Sequence, residues 1–217
     1  NFSLFCNFAS KIAKQGKIVA LGVKPDKPEL GYGYIEVENL GKNEYYNIIS
    51  FIEKPKLENA QEFVNSGNYY WNSGIFMFKA SVYLNELEKY EPQMFSICKE
   101  SYIKATIDLD FIRIDNEEFN QCPNKSIDYA VMEKTNNGVI VPFKGSWSDI
   151  GSWNALWDLK PKDISNNAIE GDVILSKVKN SYIHGSSRLI SVNDLSDLII
   201  IDTQDALLVS RDRKSVV

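Results

Sequence analysis

The sequence predicts an α/β domain over residues 1–160 followed by a small all-β module over residues 161–217. Three observations carry that prediction. Compact apolar runs of strand length alternate with helical patterns up to about residue 160, as in a sheet covered by helices. After Pro161 the helical spacing stops, and short β-branched runs divided by Asn, Gly, Asp and Ser take over. At 217 residues, 44% hydrophobic and 24% charged, the chain can bury the core of one large domain plus a module.

The elements follow in order. Phe2, Leu4, Phe5, Phe8, Ile12 and Ala13 have helical spacing, and Gly16 ends it as a C-terminal glycine. Residues 17–23 form a compact apolar run suited to a buried strand. Residues 31–38 and 45–53 are two further strands, joined by an Asn/Gly/Lys turn near 40–43. A helix is predicted over 57–66 and a short apolar strand over 74–78. Amphipathic helices fill 81–119, with Pro92 at a first-turn position. A helix over 126–135, a strand over 138–143 and a helix over 151–159 complete the domain. In the module, strands are predicted at 172–178, 182–184, 188–192, 198–202 and 206–210, before a charged tail at 211–214 that frays. So short a strand series needs cover from the first domain or from another subunit.

Several function classes are excluded by composition. The net charge of −5 and pI near 5.1 argue against a nucleic-acid partner. No run approaches the roughly 20 apolar residues of a membrane span, and no signal-peptide pattern opens the sequence. Cys6, Cys98 and Cys122 are far apart and lack zinc spacing, which predicts reduced thiols and a cytoplasmic setting. His184 is the only histidine, with no triad partner near it in sequence. Chemistry must rest on carboxylates, lysines or a metal.

Five segments concentrate unusual residues. Trp147-Ser148-Asp149-Ile150-Gly151-Ser152-Trp153 holds one acid between two tryptophans, on a loop leaving a strand, where open α/β sheets place ligands. The tryptophans read as walls around Asp149, whose carboxylate can hold a metal; read alone, the segment favours Asp149 as a helix N-cap. Gly31-Tyr32-Gly33-Tyr34 permits either a tight strand entry or close backbone approach to a ligand. Phe51-Ile52-Glu53-Lys54-Pro55 ends an apolar strand with an acid–base pair, which Pro55 places just past the strand. Its plain alternative is a solvated surface pair. Trp71-Asn72-Ser73-Gly74-Ile75-Phe76 sets an amide before a buried strand, as a turn residue or as a donor and acceptor for a vicinal diol. Ser126-Ile127-Asp128-Tyr129 puts a capping serine and a first-turn acid at a helix start, which accounts for Asp128 without a ligand.

In series, the five segments resemble the sugar-phosphate half of the nucleotide-sugar pyrophosphorylases, most closely the mannose-1-phosphate guanylyltransferases. The resemblance spans residues 18–209, and the long Ser-Ile-Asp-Tyr-Ala-Val-Met-Glu-Lys segment starting at Ser126 favours the mannose enzymes. It implies a partial Rossmann-like nucleotidyltransferase domain, a mixed sheet with flanking helices, followed by a small β-helix-like module used in subunit contact, as in a homodimer. The implied reaction is attack of mannose 1-phosphate on the α-phosphorus of GTP, releasing diphosphate. The implied roles are hydroxyl recognition by Glu53 and Asn72, ring contact at Gly33 with Tyr34 and Asp128 beside it, and phosphate contact by Lys54. Asp149 would supply one of two carboxylates to Mg2+ and, with Lys54, act in catalysis.

The family's Gly-rich nucleotide loop and the segment carrying the second metal carboxylate have no counterpart in this sequence. The sequence is therefore expected to be a fragment, inactive alone. A pyrophosphorylase for another sugar or nucleotide, and a non-catalytic sugar-phosphate-binding or oligomerisation module, remain open alternatives.

Overall fold

The computed structural model describes residues 2–38 and 44–211; the turn near 40–43 and tail positions 212–214 lie outside the described residues. The chain forms two compact units, Asn1–Trp147 and Ser148–Val217.

In the first unit, α1 (Phe2–Lys14) buries Phe5, Ala9, Ile12 and Ala13, one face of a helix. Gly16, in the left-handed region at φ 91°, closes it. β1 (Ile18–Val23) is buried at every position, as befits a strand covered on both sides. β2 (Tyr34–Val37) and β3 (Tyr46–Ile52) follow. Next come α2 (Leu57–Ser66), ended by Gly67 at φ 77°, and β4 (Tyr69–Met77). The helices α3 (Ala80–Tyr90) and α4 (Pro92–Ile103) precede a hairpin of β5 (Thr106–Asp108) and β6 (Phe111–Arg113). A short α5 (Asn116–Phe119), a π-helical turn over Asp128–Met132 and β7 (Gly138–Phe143) complete the unit.

The strands pair in the order β1-β4-β2-β3-β7, and β7 returns to β1, so the mixed sheet closes on itself. β1 and β7 run parallel and the other pairs antiparallel. Alternation along β1 and β7 divides the core in two. Val19, Leu21 and Val139 meet α1, while Ile18, Ala20 and Ile140 join Leu87, Met94 and Met132 on the other face. Helices on both faces of a mixed sheet are the predicted α/β arrangement.

Three local expectations are corrected. Residues 81–119 contain a β-hairpin as well as helices, because Ile107-Asp108-Leu109-Asp110-Phe111 alternates apolar and acidic residues at strand period. The strand expected at 74–78 starts five residues earlier, since Tyr69, Tyr70 and Trp71 are strong strand formers. The helix expected over 126–135 is the single π-helical turn.

The second unit begins with α6 (Trp153–Leu159). It continues through β8 (Ala168–Glu170), β9 (Val173–Ser176), β10 (Tyr182–Gly185), β11 (Ile190–Asn193), β12 (Ile199–Asp202) and β13 (Leu207–Ser210). β8, β10 and β12 stack in parallel, as do β9 and β11, while β13 closes one edge antiparallel to β12. These are the stacked coils of a small β-helix. Its interior is Val178, Ile183, Val192, Leu198 and Ile200. Trp153, Leu156 and Trp157 of α6 pack around Ala168, Tyr182, Ile199 and Ile201. This packing places α6 with the coils, so the compact units divide ahead of residue 160.

Coil corners recur. Asn166, Asn180 and Asp197 all adopt positive φ, and their side chains bond in a ladder, Asn166 Nδ2 to Asn180 Oδ1 at 3.0 Å and Asn180 Nδ2 to Asp197 Oδ1 at 3.4 Å. Asn and Asp tolerate this left-handed corner better than other L-residues.

Candidate functional site

Gly33, Glu53, Lys54, Asn72 and Asp128 converge in the first unit. They come from the start of β2, the turn after β3, the body of β4 and the π-helical turn. Glu53 follows β3, where the strand stops; Lys54 adopts φ 49° and Pro55 is buried, so the chain turns sharply there. The Glu53 side chain is only 12% exposed, whereas Lys54 is 62% exposed with its Nζ 3.7 Å from Glu53 Oε1. Gly33 lies against that carboxylate: a Cβ added there would sit 2.5 Å from Glu53 Oε2 and 3.3 Å from the Asn72 Cβ. Absence of a side chain at Gly33 is therefore what seats Glu53.

Asn72 is a buried strand residue and not the turn residue that its sequence neighbours suggest. Register between β1 and β4 slips between Ala20 and Gly22, and Ser73 Oγ donates to the Leu21 carbonyl at 2.9 Å. Such an irregularity bends the strand locally and re-aims a side chain. The Asn72 backbone N–H donates to the Gly33 carbonyl at 2.8 Å. Its Nδ2 donates to Asp128 Oδ1 at 3.0 Å, and its Oδ1 accepts from the Gly74 N–H at 3.0 Å. Ser126 Oγ donates to Asp128 Oδ2 at 3.0 Å, so this serine orients the acid and does not cap a helix. Asp128 opens the π-helical turn, an element frequent at functional sites.

The electrostatics follow from this crowding. Burial first, and the Asp128 carboxylate second, push the Glu53 carboxyl above the usual carboxylate range, against the opposing pull of Lys54; Glu133 adds to the upward push. A partly buried acid, a second acid, an amide and an exposed ammonium together suit hydroxyl groups beside an anion.

The segment carrying Asp128 is tied down on both sides. Glu91, at the α3–α4 junction, accepts from Lys125 Nζ at 2.8 Å and Lys134 Nζ at 2.5 Å. Those bonds hold its carboxyl below the usual range.

Two predicted site features are placed elsewhere. The Tyr34 side chain is fully buried beside Phe63 and donates its hydroxyl to the Glu29 carbonyl at 3.0 Å, so it is a core residue and not a ligand contact. Strand alternation explains this: Gly33 and Tyr34 must face opposite ways. The tryptophans flanking Asp149 do not wall it in. Trp147 packs edge-on to Tyr32 at 5.2 Å, Trp153 packs on Tyr182 at 6.4 Å, and Asp149 is exposed. Nor is Asp149 the N-cap of α6; Ser152 is, accepting from the Ala155 N–H at 3.2 Å. Asp149 Oδ1 accepts from the Gly151 N–H at 3.3 Å in a local turn.

Among the described residues, no group of three or more His, Cys, Asp or Glu side chains stands together as a metal cradle. Asp149 offers one carboxylate, and the described residues do not complete a coordination set. Sequence reasoning gave Ser126 only a capping role and gave none to Glu133 or to Tyr32, which also packs on Trp71 at 5.2 Å. The Gly-Tyr-Gly spacing and the Ser-x-Asp step were the signals available.

A nucleotidyl transferase family model matches residues 1–166. The chain belongs to the nucleotidyl transferase family. As a nucleotidyl transferase chain it is 46% identical over 222 residues to mannose-1-phosphate guanylyltransferase 2 of Escherichia coli O157:H7, covering 96% of this chain and 45% of that relative. It is 44% identical over 212 residues to mannose-1-phosphate guanylyltransferase of Escherichia coli (strain K12), with coverage of 96% and 44%. The chain thus spans about half the length of the curated relatives it matches. It also superposes on the crystal structure of mannose-1-phosphate geranyltransferase from Thermus thermophilus, with a TM-score of 0.79 and 26% identity, covering 95% of this chain and 59% of that one. Among the described residues, no helix is long and apolar enough to cross a membrane.

Proposed function

We propose that this chain carries the acceptor side of a mannose-1-phosphate guanylyltransferase, which joins mannose 1-phosphate to GTP with release of diphosphate. The observation that carries the proposal is the Asn72–Asp128 hydrogen bond set beside the nearly buried Glu53. Glu53 accepts hydrogen bonds from sugar hydroxyls. Asn72, with one side-chain N–H and one lone pair beyond its bonds to Asp128 and Gly74, bonds others. Asp128 holds the amide in place and faces the ring alongside the Gly33 backbone. Lys54, exposed and adjacent, neutralises the acceptor phosphate as its oxygen attacks the α-phosphorus. Catalysis of this kind rests on positioning and charge neutralisation rather than on covalent help from side chains.

Nucleotidyltransferases generally use a divalent metal. Mg2+, an oxygen-seeking ion with Asp149 as one of its ligands, is the finer part of the proposal, together with a cytoplasmic setting and homodimer contact through residues 161–217.

Titration calorimetry of the chain with mannose 1-phosphate tests the site directly. Binding is expected, and Asn72→Ala should lose about 1.5–3 kcal/mol of it, as for a hydrogen bond to a charged or polar ligand group. No detectable heat with wild-type chain, or equal affinity for the variant, would sink the assignment.

A further inference from the structure

Cys98 on α4 and Cys122, just past α5, place their sulfurs 3.8 Å apart, although 24 residues separate them in sequence. Both are half-buried against the same core cluster, while Cys6 packs against the other. The chain between them forms an arm that includes the β5–β6 hairpin, whose Ile107, Leu109, Phe111 and Ile112 are all exposed. A two-stranded hairpin is marginal in water on its own. The two sulfurs thus meet at the base of the segment that carries this hairpin.

A disulfide needs about 2.05 Å between sulfurs, so the pair has roughly 1.8 Å to close, and rotation about the two cysteine χ1 angles moves the sulfurs on that scale. We propose that Cys98 and Cys122 are an oxidation site, a dithiol that closes into an intramolecular disulfide on meeting a low-molecular-weight disulfide and staples the neck of the arm.

Access and burial set the order of events. Cys98 lines an apolar cavity of about 370 Å³ with Leu84, Leu87, Phe95, Lys99 and Tyr102, which admits a small reagent beside an ammonium group. Cys98, which opens on that cavity, is the first nucleophile; burial, reinforced by the neighbouring Cys98 sulfur, pushes the Cys122 thiol up. The Cys98 thiolate attacks one sulfur of the reagent, forming a mixed disulfide and releasing one reagent thiolate. Cys122, losing its proton to solvent, then attacks Cys98 Sγ and expels the second. Two cysteine thiols lose two electrons and two protons in total, and one reagent disulfide becomes two thiols. The staple fixes Cys122 six residues ahead of Asp128, but its formation does not depend on the sugar-phosphate proposal.

The test uses the full chain and oxidised glutathione, followed by alkylation, intact mass and peptide mapping. The expected product carries one alkyl group, on Cys6, is about 2 Da lighter than the chain plus that group, links the Cys98 and Cys122 peptides, and reverts with dithiothreitol. Cys122→Ser should trap glutathione on Cys98 as an adduct of about 305 Da. Three alkylatable thiols after treatment, a wild-type product that stops at the mixed disulfide, or a crosslink to Cys6 would each overturn the proposal. The wild-type measurement stands whether or not the variant folds.

Discussion

Both units bury polar side chains, but they use them in opposite ways. In the β-helical unit, Asn167 spends both of its amide hydrogens on protein, bonding Asp163 Oδ2 at 3.0 Å and the Val178 carbonyl at 3.0 Å. Its Oδ1 accepts from the Ser181 N–H at 3.1 Å, and Ser181 Oγ in turn accepts from the Leu198 N–H at 3.2 Å. That ladder crosses three coils and has nothing to offer a ligand. In the α/β unit, Asn72 keeps donor and acceptor capacity, and Glu53 lies against a glycine with its charge disfavoured. Buried polarity marks a site only where its bonding capacity is unfilled.

The comparison predicts that Asn167→Ala is the more costly for stability. Orphaning the Ser181 N–H and Val178 carbonyl should remove about 3 kcal/mol in urea unfolding, with mannose 1-phosphate binding unchanged. A loss below about 1 kcal/mol would erase the contrast between the units. Gly33→Ala should do the reverse. The new Cβ meets the far end of the Glu53 side chain, which must swing aside, so affinity for mannose 1-phosphate should fall about tenfold while stability falls by about 1 kcal/mol. A larger stability loss than affinity loss would make Gly33 a packing residue.

Acid–base behaviour separates two carboxylates within the first unit. Glu53 has its folded pKa raised, so it takes up protons on folding. Its contribution is fully present below the unfolded pKa and is lost as pH rises through the raised value. Glu91 has its folded pKa lowered by Lys125 and Lys134, so its contribution is present above the unfolded pKa and is lost as pH falls through the lowered value. Thermal unfolding from about pH 4 to about pH 8 should show Glu53→Gln gaining on the wild type as pH rises; a constant difference would deny the shift.

Much of this was legible in the sequence, for identifiable reasons. Central strands declare themselves by apolar runs, so β1 and β7 were found nearly to the residue. Glu53, Lys54, Asn72 and Asp128 stood out through their motif neighbours, yet no spacing rule reveals that Asn72 donates to Asp128, 56 positions away. Tyr34 was misplaced because a motif does not say which way a strand faces. Ser152 displaced Asp149 as the cap because both are good capping residues three positions apart, and only the backbone chooses. The Asp108–Phe111 turn was lost among helical neighbours.

The β-helix also counts. From Ala168 to its stacking partner Tyr182 is 14 residues, but from Val173 to Ile190 is 17. The difference is three residues inserted between β10 and β11, and they form the loop that contains Arg188. From there Arg188 Nε approaches Asp202 Oδ1 to 3.2 Å; Asp202 is fully buried, and among the described residues neither of its oxygens has a hydrogen-bond partner. A deletion that evened out the coil lengths would therefore take the guanidinium away from a buried carboxyl group. Regularity and survival pull apart at that one loop, and lineages of this module should tolerate whole coils gained or lost more readily than three residues trimmed there.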